Sequence, residues 1–368
     1  MIGKSFIITA SCHCKINRYS FTVNESDLPF KPHLCSCNIS RRISGVLLTS
    51  YFPISAQNSF PKRDGLTAYK SSGILTRYFC SSCGSHMFLE YAMDGHWEVS
   101  TGTISESVNI VQFQGHMWIE DTQDGGASDW ITEIGSIEAS RWLKESNRGS
   151  NLPLDWRVEE TVMPNSKSDI HKLHAHCHCN GVEFYVTRPN KTSQRACSPF
   201  PDLLVPFTTQ TPPENTQNSA WWLATDHKRY LAGNCACQSC RQVAGFDLVQ
   251  WAFIPRSNIV TEDGRLFSRS SGTMKTYSSS SGVTRSFCGR CGANIFWEGD
   301  FRPDIVDVAV GIMDAESGAR AEEWLEWATD RISFQEEAHN PQLIAGLGKG
   351  LQSWKSRRES PGTTRLGS

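Results

Sequence analysis

Cysteine positions constrain this chain more than anything else in it. A CxC pair at Cys12 and Cys14 returns at Cys177 and Cys179, and a CxxCG run at Cys80–Gly84 returns at Cys288–Gly292. Between them, "CSCNISR" from Cys35 matches "CACQSCR" from Cys235, with Ser40 standing where the second copy has Cys240. The flanks agree too: "TRYFCSSCGSHMFLE" overlays "TRSFCGRCGANIFWE" without a gap, Tyr69 matches Tyr277, Arg41 matches Arg241, and Gly45 matches Gly245. Self-similarity on this scale marks a tandem duplication. The copies differ most between their first two motifs, where the second carries an insertion near 188–222 rich in Pro, Ser, Thr and Asn, which reads as a loop.

Paired thiols at these spacings suit metal better than disulfides. A structural zinc takes four soft ligands in a tetrahedron, and a CxxC turn supplies two of them. A CxC pair in an extended segment supplies two more. Cys12, Cys14, Cys80 and Cys83 therefore make one closed site, and Cys177, Cys179, Cys288 and Cys291 another. The competing interpretation, reduced core cysteines or oxidised pairs, does not account for both motifs recurring in both halves. Cys197, inside the insertion, has no counterpart and reads as a bystander thiol.

The middle motif differs. Cys235, Cys237 and Cys240 offer three thiolates and leave a fourth position open, which is the mark of a catalytic or ligand-binding zinc. Three thiolates make the ion a weak Lewis acid, so thiol capture fits better than peptide hydrolysis. In the first copy Ser40 replaces a thiolate; a neutral hydroxyl is a poor zinc ligand, so that copy is expected to have lost its second metal.

Composition narrows the classes. With 39% hydrophobic and 20% charged residues and a net charge of -2, the chain reads as a globular protein with neither a nucleic-acid nor a membrane-surface footprint. No apolar run reaches a membrane span, and the first residues lack a signal-peptide core, so a cytoplasmic location is expected. Short β-branched or aromatic runs ("GVEFYVT", "HWEVSTG", "VNIVQFQ", "LVQWAFI", "IVDVAVGI") predict a mainly β protein with few helices. The expected layout is a first domain over 1–135, a linker over 136–167 holding a helix at "SIEASRWLKES", a second domain over 168–340, and a flexible tail over 341–368.

The three motifs together resemble, twice over, the glutathione-dependent formaldehyde-activating enzyme family, which includes centromere protein V-like proteins. The resemblance implies two tandem β-tent domains of small antiparallel sheets. It also implies a structural zinc on each outer cysteine set, and an active-site zinc on the middle three, where glutathione and formaldehyde combine. Lys15 and Asn180 depart from the family's glycine after CxC, and Ser40 from its third middle cysteine. The expected function is a zinc-dependent carbon–sulfur lyase-type enzyme on a glutathione adduct or related small molecule, working from Cys235, Cys237, Cys240 and Arg241. One alternative is a tailoring enzyme using zinc to activate a carbonyl for addition, cyclisation or elimination; another is a non-catalytic zinc-stabilised binding module. Arg241 can pair with a substrate carboxylate, balance the thiolates or cap a turn, and Arg41 and Arg42 share that ambiguity. Asp247 and His227 are candidate proton carriers, and Trp221, Trp222, Trp251 and Trp297 candidate pocket walls, although a β-core uses such residues more often. His116 reads as a turn or interface histidine beside a tight "DGG" turn.

Overall fold

The computed structural model describes residues 4–55, 58, 61–106, 110–158, 171–207 and 212–359. Antiparallel hairpins dominate it, and the described residues contain three α-helices: α1 (Asn38–Ser44), α2 (Gln238–Ala244) and α3 (Pro341–Glu359). In the first half, five strands lie in the spatial order Tyr51–Ile54, Trp97–Ser100, His86–Tyr91, Leu75–Cys80, Leu66–Lys70. The second half repeats this order with Val249–Pro255, Ile305–Ala309, Asn294–Gly299, Val283–Cys288 and Met274–Ser280, then adds Tyr230–Cys235 and Leu325–Trp327 at one edge. Even the irregularity repeats: a register shift falls at Tyr78/Phe79 and again at Ser286/Phe287, just before each CxxC turn. Each CxC follows one strand of a separate hairpin, Ser5–Ser11 with Arg18–Asn24 and Lys172–His176 with Glu183–Thr187.

The predicted strands form at "GVEFYVT", "HWEVSTG", "LVQWAFI" and "IVDVAVGI". Residues 108–109 of "VNIVQFQ" lie outside the described residues, and residues 110–114 form no strand beyond an isolated bridge from Val111 to Phe30.

The two copies grip each other like subunits of a two-fold dimer. Arg41, on α1, donates to the carbonyls of Gly311 and Met313 at 3.1 and 2.8 Å. Arg241, on α2, donates to those of Gly102 and Ile104 at 2.8 and 2.9 Å. Gly311 N–H bonds to Gly45 O, and Gly102 N–H to Gly245 O, both at 2.9 Å. Gly84 and Gly292 have φ of +76° and +84°, and an added Cβ at either would lie 2.7 Å from Phe287 or Phe79 of the other copy. These glycines thus serve the CxxC turn and the inter-copy contact together. One cluster of buried apolar residues contains Leu34, Val46 and Phe113 of the first copy alongside Phe246, Val249 and Ile312 of the second. The copies therefore share a core across their contact, while the first copy keeps a second cluster of its own around Phe21, Phe52, Phe88 and Trp97.

Two expectations for the connecting segments change. The stretch around 136–146 forms the short strands Ile137–Glu138 and Ser140–Arg141 instead of a helix. Burial of Arg141 decides this: its guanidinium meets Asp129 at 2.5 Å and Ser128, while Asp129 also pairs with buried Arg320. Residues 159–167 of the expected linker and 360–368 of the expected tail lie outside the described residues. The rest of the tail is ordered as α3, with Leu343, Leu347, Leu351 and Trp354 buried. Its glycines, which read as flexibility, allow close approach: a Cβ on Gly350 would fall 1.6 Å from Trp130 O, and one on Gly346 2.0 Å from Glu133 O. Trp354 stands edge-on to Trp130 at 5.7 Å and is only 6% exposed. Trp354→Ala should therefore cost about 3–5 kcal/mol in chemical denaturation with zinc content unchanged; a mobile tail would give no shift.

Candidate metal centres

In the first copy, Cys12 and Cys14 bring their sulfurs to 3.5 Å of each other, and Cys14 lies 3.6 Å from Cys80. The second copy has Cys177 and Cys179 at 3.6 Å, and Cys179 and Cys288 at 3.5 Å. With Cys83 and Cys291, each set of four sulfurs lies within 4.8 Å of one another. A tetrahedron with Zn–S of about 2.3 Å has edges of about 3.8 Å, so both sets fit zinc. Backbone N–H groups point at the sulfurs, as thiolates require: Asn17 at Cys12 (3.2 Å), Val182 at Cys177 (3.3 Å) and Arg290 at Cys288 (3.4 Å). Lys15 and Asn180, which follow the two CxC pairs, have φ of +65° and +54°. They occupy the left-handed conformation that glycine takes more readily, which explains how the chain departs from the glycine there without losing the turn.

The middle motifs lie where a strand meets a helix. Cys237 caps α2 by accepting from Cys240 N–H at 3.4 Å, and Cys37 caps α1 by accepting from Ser40 N–H at 3.3 Å. Cys235, Cys237 and Cys240 converge within 4.8 Å. Thiol hydrogen bonds from Cys235 and Cys237, with Arg285 behind them, hold Cys240 well below the ordinary thiol range.

The arginine at these sulfurs is Arg285, which sequence reasoning passed over. Its Nη2 lies 3.3 Å from Cys240 Sγ and donates to Ser239 Oγ at 2.9 Å. Burial opposes its charge, but the Cys240 and Cys237 thiolates outweigh that and raise its pKa. Ser239 Oγ then meets His13 Nε2 of the first copy, whose Nδ1 meets Tyr277, both at 2.9 Å. The first copy's CxC loop thus supports the second copy's middle site. A signal for Arg285 was available: it aligns with Arg77 inside the duplicated "TRxFC".

Arg241 points elsewhere, its donors taken by Gly102, Ile104 and Gln238. Arg42 pairs with Asp314 at 2.5 Å across the copies. Buried Asp247 is beside Arg241, and burial raises its pKa. His227 lies on an exposed turn, and among the described residues no hydrogen bond ties it or Asp247 to the three sulfurs. His116 is buried and meets Ile131 O at 2.8 Å. The residue missed on the proton side is Asp307, whose pKa burial lifts to about 6 against its 2.5 Å pairing with Arg302; Cys240 adds to the rise.

The insertion covers this site. Leu203 packs onto Gly233, which precedes Cys235 by two residues; a Cβ there would lie 2.4 Å from the leucine. Phe207 abuts Phe334 at 5.5 Å, next to Ser333, whose backbone bridges Cys235. Trp221 packs against Phe253 at 5.2 Å, while Trp222 donates to Ser193 O. Among the described residues the first copy shows no such cover, and its middle motif borders a cavity of about 580 Å³.

The model of the glutathione-dependent formaldehyde-activating enzyme family matches residues 7–121 and 223–328, more than half of the chain. The chain belongs to that family. The second match starts beyond the insertion, yet the structure joins Cys177 and Cys179, which precede it, to Cys288 and Cys291 within it. The chain has no match among curated proteins. Among the described residues, no helix is long and apolar enough to cross a membrane.

These geometries predict about three zinc ions per chain by metal analysis, one on each four-sulfur set and one on the three-sulfur set. Cys83→Ser or Cys291→Ser should lower the unfolding midpoint markedly, because metal binding there is folding free energy. Ser40→Cys should raise the zinc content by one.

Proposed function

We propose that this protein is a zinc-dependent enzyme that makes or breaks the carbon–sulfur bond of an adduct between a small thiol, such as glutathione, and a carbonyl compound, with its chemistry in the second copy. The observation that carries this reading is the convergence of Cys235, Cys237 and Cys240 beside Arg285, with no fourth sulfur, histidine or carboxylate in the group among the described residues. Zinc bound by three thiolates supplies an open coordination position and lowers the pKa of a thiol placed there.

The protein's own residues supply the rest. Arg285 offsets part of the charge of three thiolates, so that an incoming fourth sulfur is tolerated. Asp307 is protonated below pH of about 6 and ionised above it, which suits a group that exchanges a proton with the reacting thiol or hydroxyl. When thiol and aldehyde join, the sulfur's proton leaves and the carbonyl oxygen gains one; cleavage reverses both. Phe253 and Trp297 form aromatic surroundings for Arg302 and Asp307, and Arg302 stacks on Trp297 at 4.7 Å. Leu203 and Phe207 keep water from the neighbouring edge and favour small substrates.

The same enclosed aromatic surroundings support a second reading, in which zinc activates a carbonyl of an apolar substrate for addition, cyclisation or elimination. Glutathione and formaldehyde separate the two. On the first reading, the zinc-loaded protein converts them to S-hydroxymethylglutathione, and Cys240→Ser lowers kcat/KM by at least 100-fold while the fold persists. Conversion at the uncatalysed rate by the loaded native protein would favour the second.

The pH dependence follows from the raised carboxyl. If ionised Asp307 accepts the proton, kcat/KM should rise as pH passes upward through about 6. Asp307→Asn should remove that limb of the profile. The same shift carries a stability sign. Asp307 binds its proton more tightly folded than unfolded, so its stabilising contribution is present below the ordinary carboxyl pKa and is lost as pH rises through about 6.

A further inference from the structure

The first copy has a cavity where the second has a covered metal centre, and its lining is not that of a decayed site. Cys35 and Cys37 both border it, half-buried, whereas Cys235 is 7% exposed beneath the insertion. Its polar lining includes His33, Tyr51, Arg77, Tyr91, Glu98 and Asp121, around walls that include Leu75 and Trp118. With Ser40 in place of a third thiolate, Arg77 bonds to the serine hydroxyl. Its Nη2 donates to Ser40 Oγ at 3.0 Å, and that oxygen lies 3.2 Å from Cys37 Sγ. Cys37 Sγ also accepts the Ser40 N–H. A cysteine so placed, with a guanidinium one atom behind its contact, has the surroundings of a nucleophilic thiolate. The two thiols divide the labour. A hydrogen bond from Cys35 pulls Cys37 down to about 6 despite burial, while Cys35 itself is pushed well above the ordinary range and keeps its proton.

The geometry points to the first-copy cavity as a metal-free site in which Cys37 adds to apolar α,β-unsaturated carbonyl compounds. A soft thiolate prefers the soft β-carbon of such a compound, and the aromatic and aliphatic walls accept its carbon skeleton. In the step, the Cys37 electron pair forms the new C–S bond at the β-carbon, the C=C π pair becomes the double bond between the α-carbon and the carbonyl carbon, the C=O π pair moves to oxygen to give an enolate, and a solvent proton on the α-carbon completes the adduct. Nothing is oxidised or reduced. This site does not depend on the reaction proposed for the second copy.

The test uses the full zinc-loaded chain and maleimides, which are cyclic unsaturated carbonyls. At neutral pH and substoichiometric reagent, peptide mapping by mass spectrometry should place the label on Cys37 at least 10-fold faster than on Cys197, an exposed thiol with only a 3.9 Å contact to Arg195 O. N-phenylmaleimide should widen that ratio over N-methylmaleimide, as expected if the cavity walls bind the ring. Ser40→Cys, which copies the second copy's ligand set, should cut Cys37 labelling at least 10-fold while adding one zinc. Cys197 reacting first, or a ratio indifferent to the phenyl group, would overturn the proposal. So would zinc already held by the native Cys35–Cys37 pair.

Discussion

Each four-sulfur cluster ties the hairpin that opens a copy to the CxxC turn in the middle of its main sheet, and the remaining structure depends on that tie. Small antiparallel hairpins bury little on their own and are marginal in water. Joining Cys12 and Cys14 to Cys80 and Cys83 closes a long loop, and the loop so closed carries the middle motif at Cys35–Ser40. The same holds for Cys177, Cys179, Cys288 and Cys291 around Cys235–Cys240. The four-sulfur clusters and the middle-motif residues are therefore interleaved along the chain.

Reciprocity is the second organising fact. Each copy's middle helix sends its arginine into carbonyls of the other copy, Arg41 to Gly311 and Met313, Arg241 to Gly102 and Ile104. Buried guanidinium groups are costly unless their donors are used; here backbone carbonyls take Nη1 of each and Asn38 or Gln238 takes Nη2, while Arg41 Nε has no partner among the described residues. The contact that orients α2 is thus built from both halves, and His13 extends this by reaching Ser239. A single copy would leave these donors and Phe79, Phe287, Gly84 and Gly292 facing water.

On this symmetric frame the two middle sites have moved in opposite directions. The second keeps three sulfurs and is covered by Leu203, Phe207 and Trp221. The first gives up a sulfur at Ser40 and keeps its cavity. A duplicated scaffold permits this because the four-sulfur clusters lie apart from the middle positions, so one copy can keep three converging sulfurs while the other does not.

Cysteine spacing alone determined the repeat, both closed clusters and the loss at Ser40, because ligand geometry leaves few ways to use paired thiols. Short β-branched or aromatic runs located four of the 23 described strands for a similarly local reason, and the rest carried too weak a local pattern. What needed tertiary structure was everything set by partners far apart in the chain. Arg241 and Arg285 are both arginines near a cysteine motif; only the packing of α2 against residues 102–104 sends the first away from the sulfurs and leaves them to the second. Asp307 becomes a titratable group of interest only through burial beside Arg302. The glycines of α3 read locally as a breaker sequence, and the helix forms because Trp130 and Glu133 offer a backbone surface that nothing larger than glycine can approach. The insertion, too, carried no local sign of where it would lie; its contacts with Gly233 and Phe334 decide which copy is covered and which remains open.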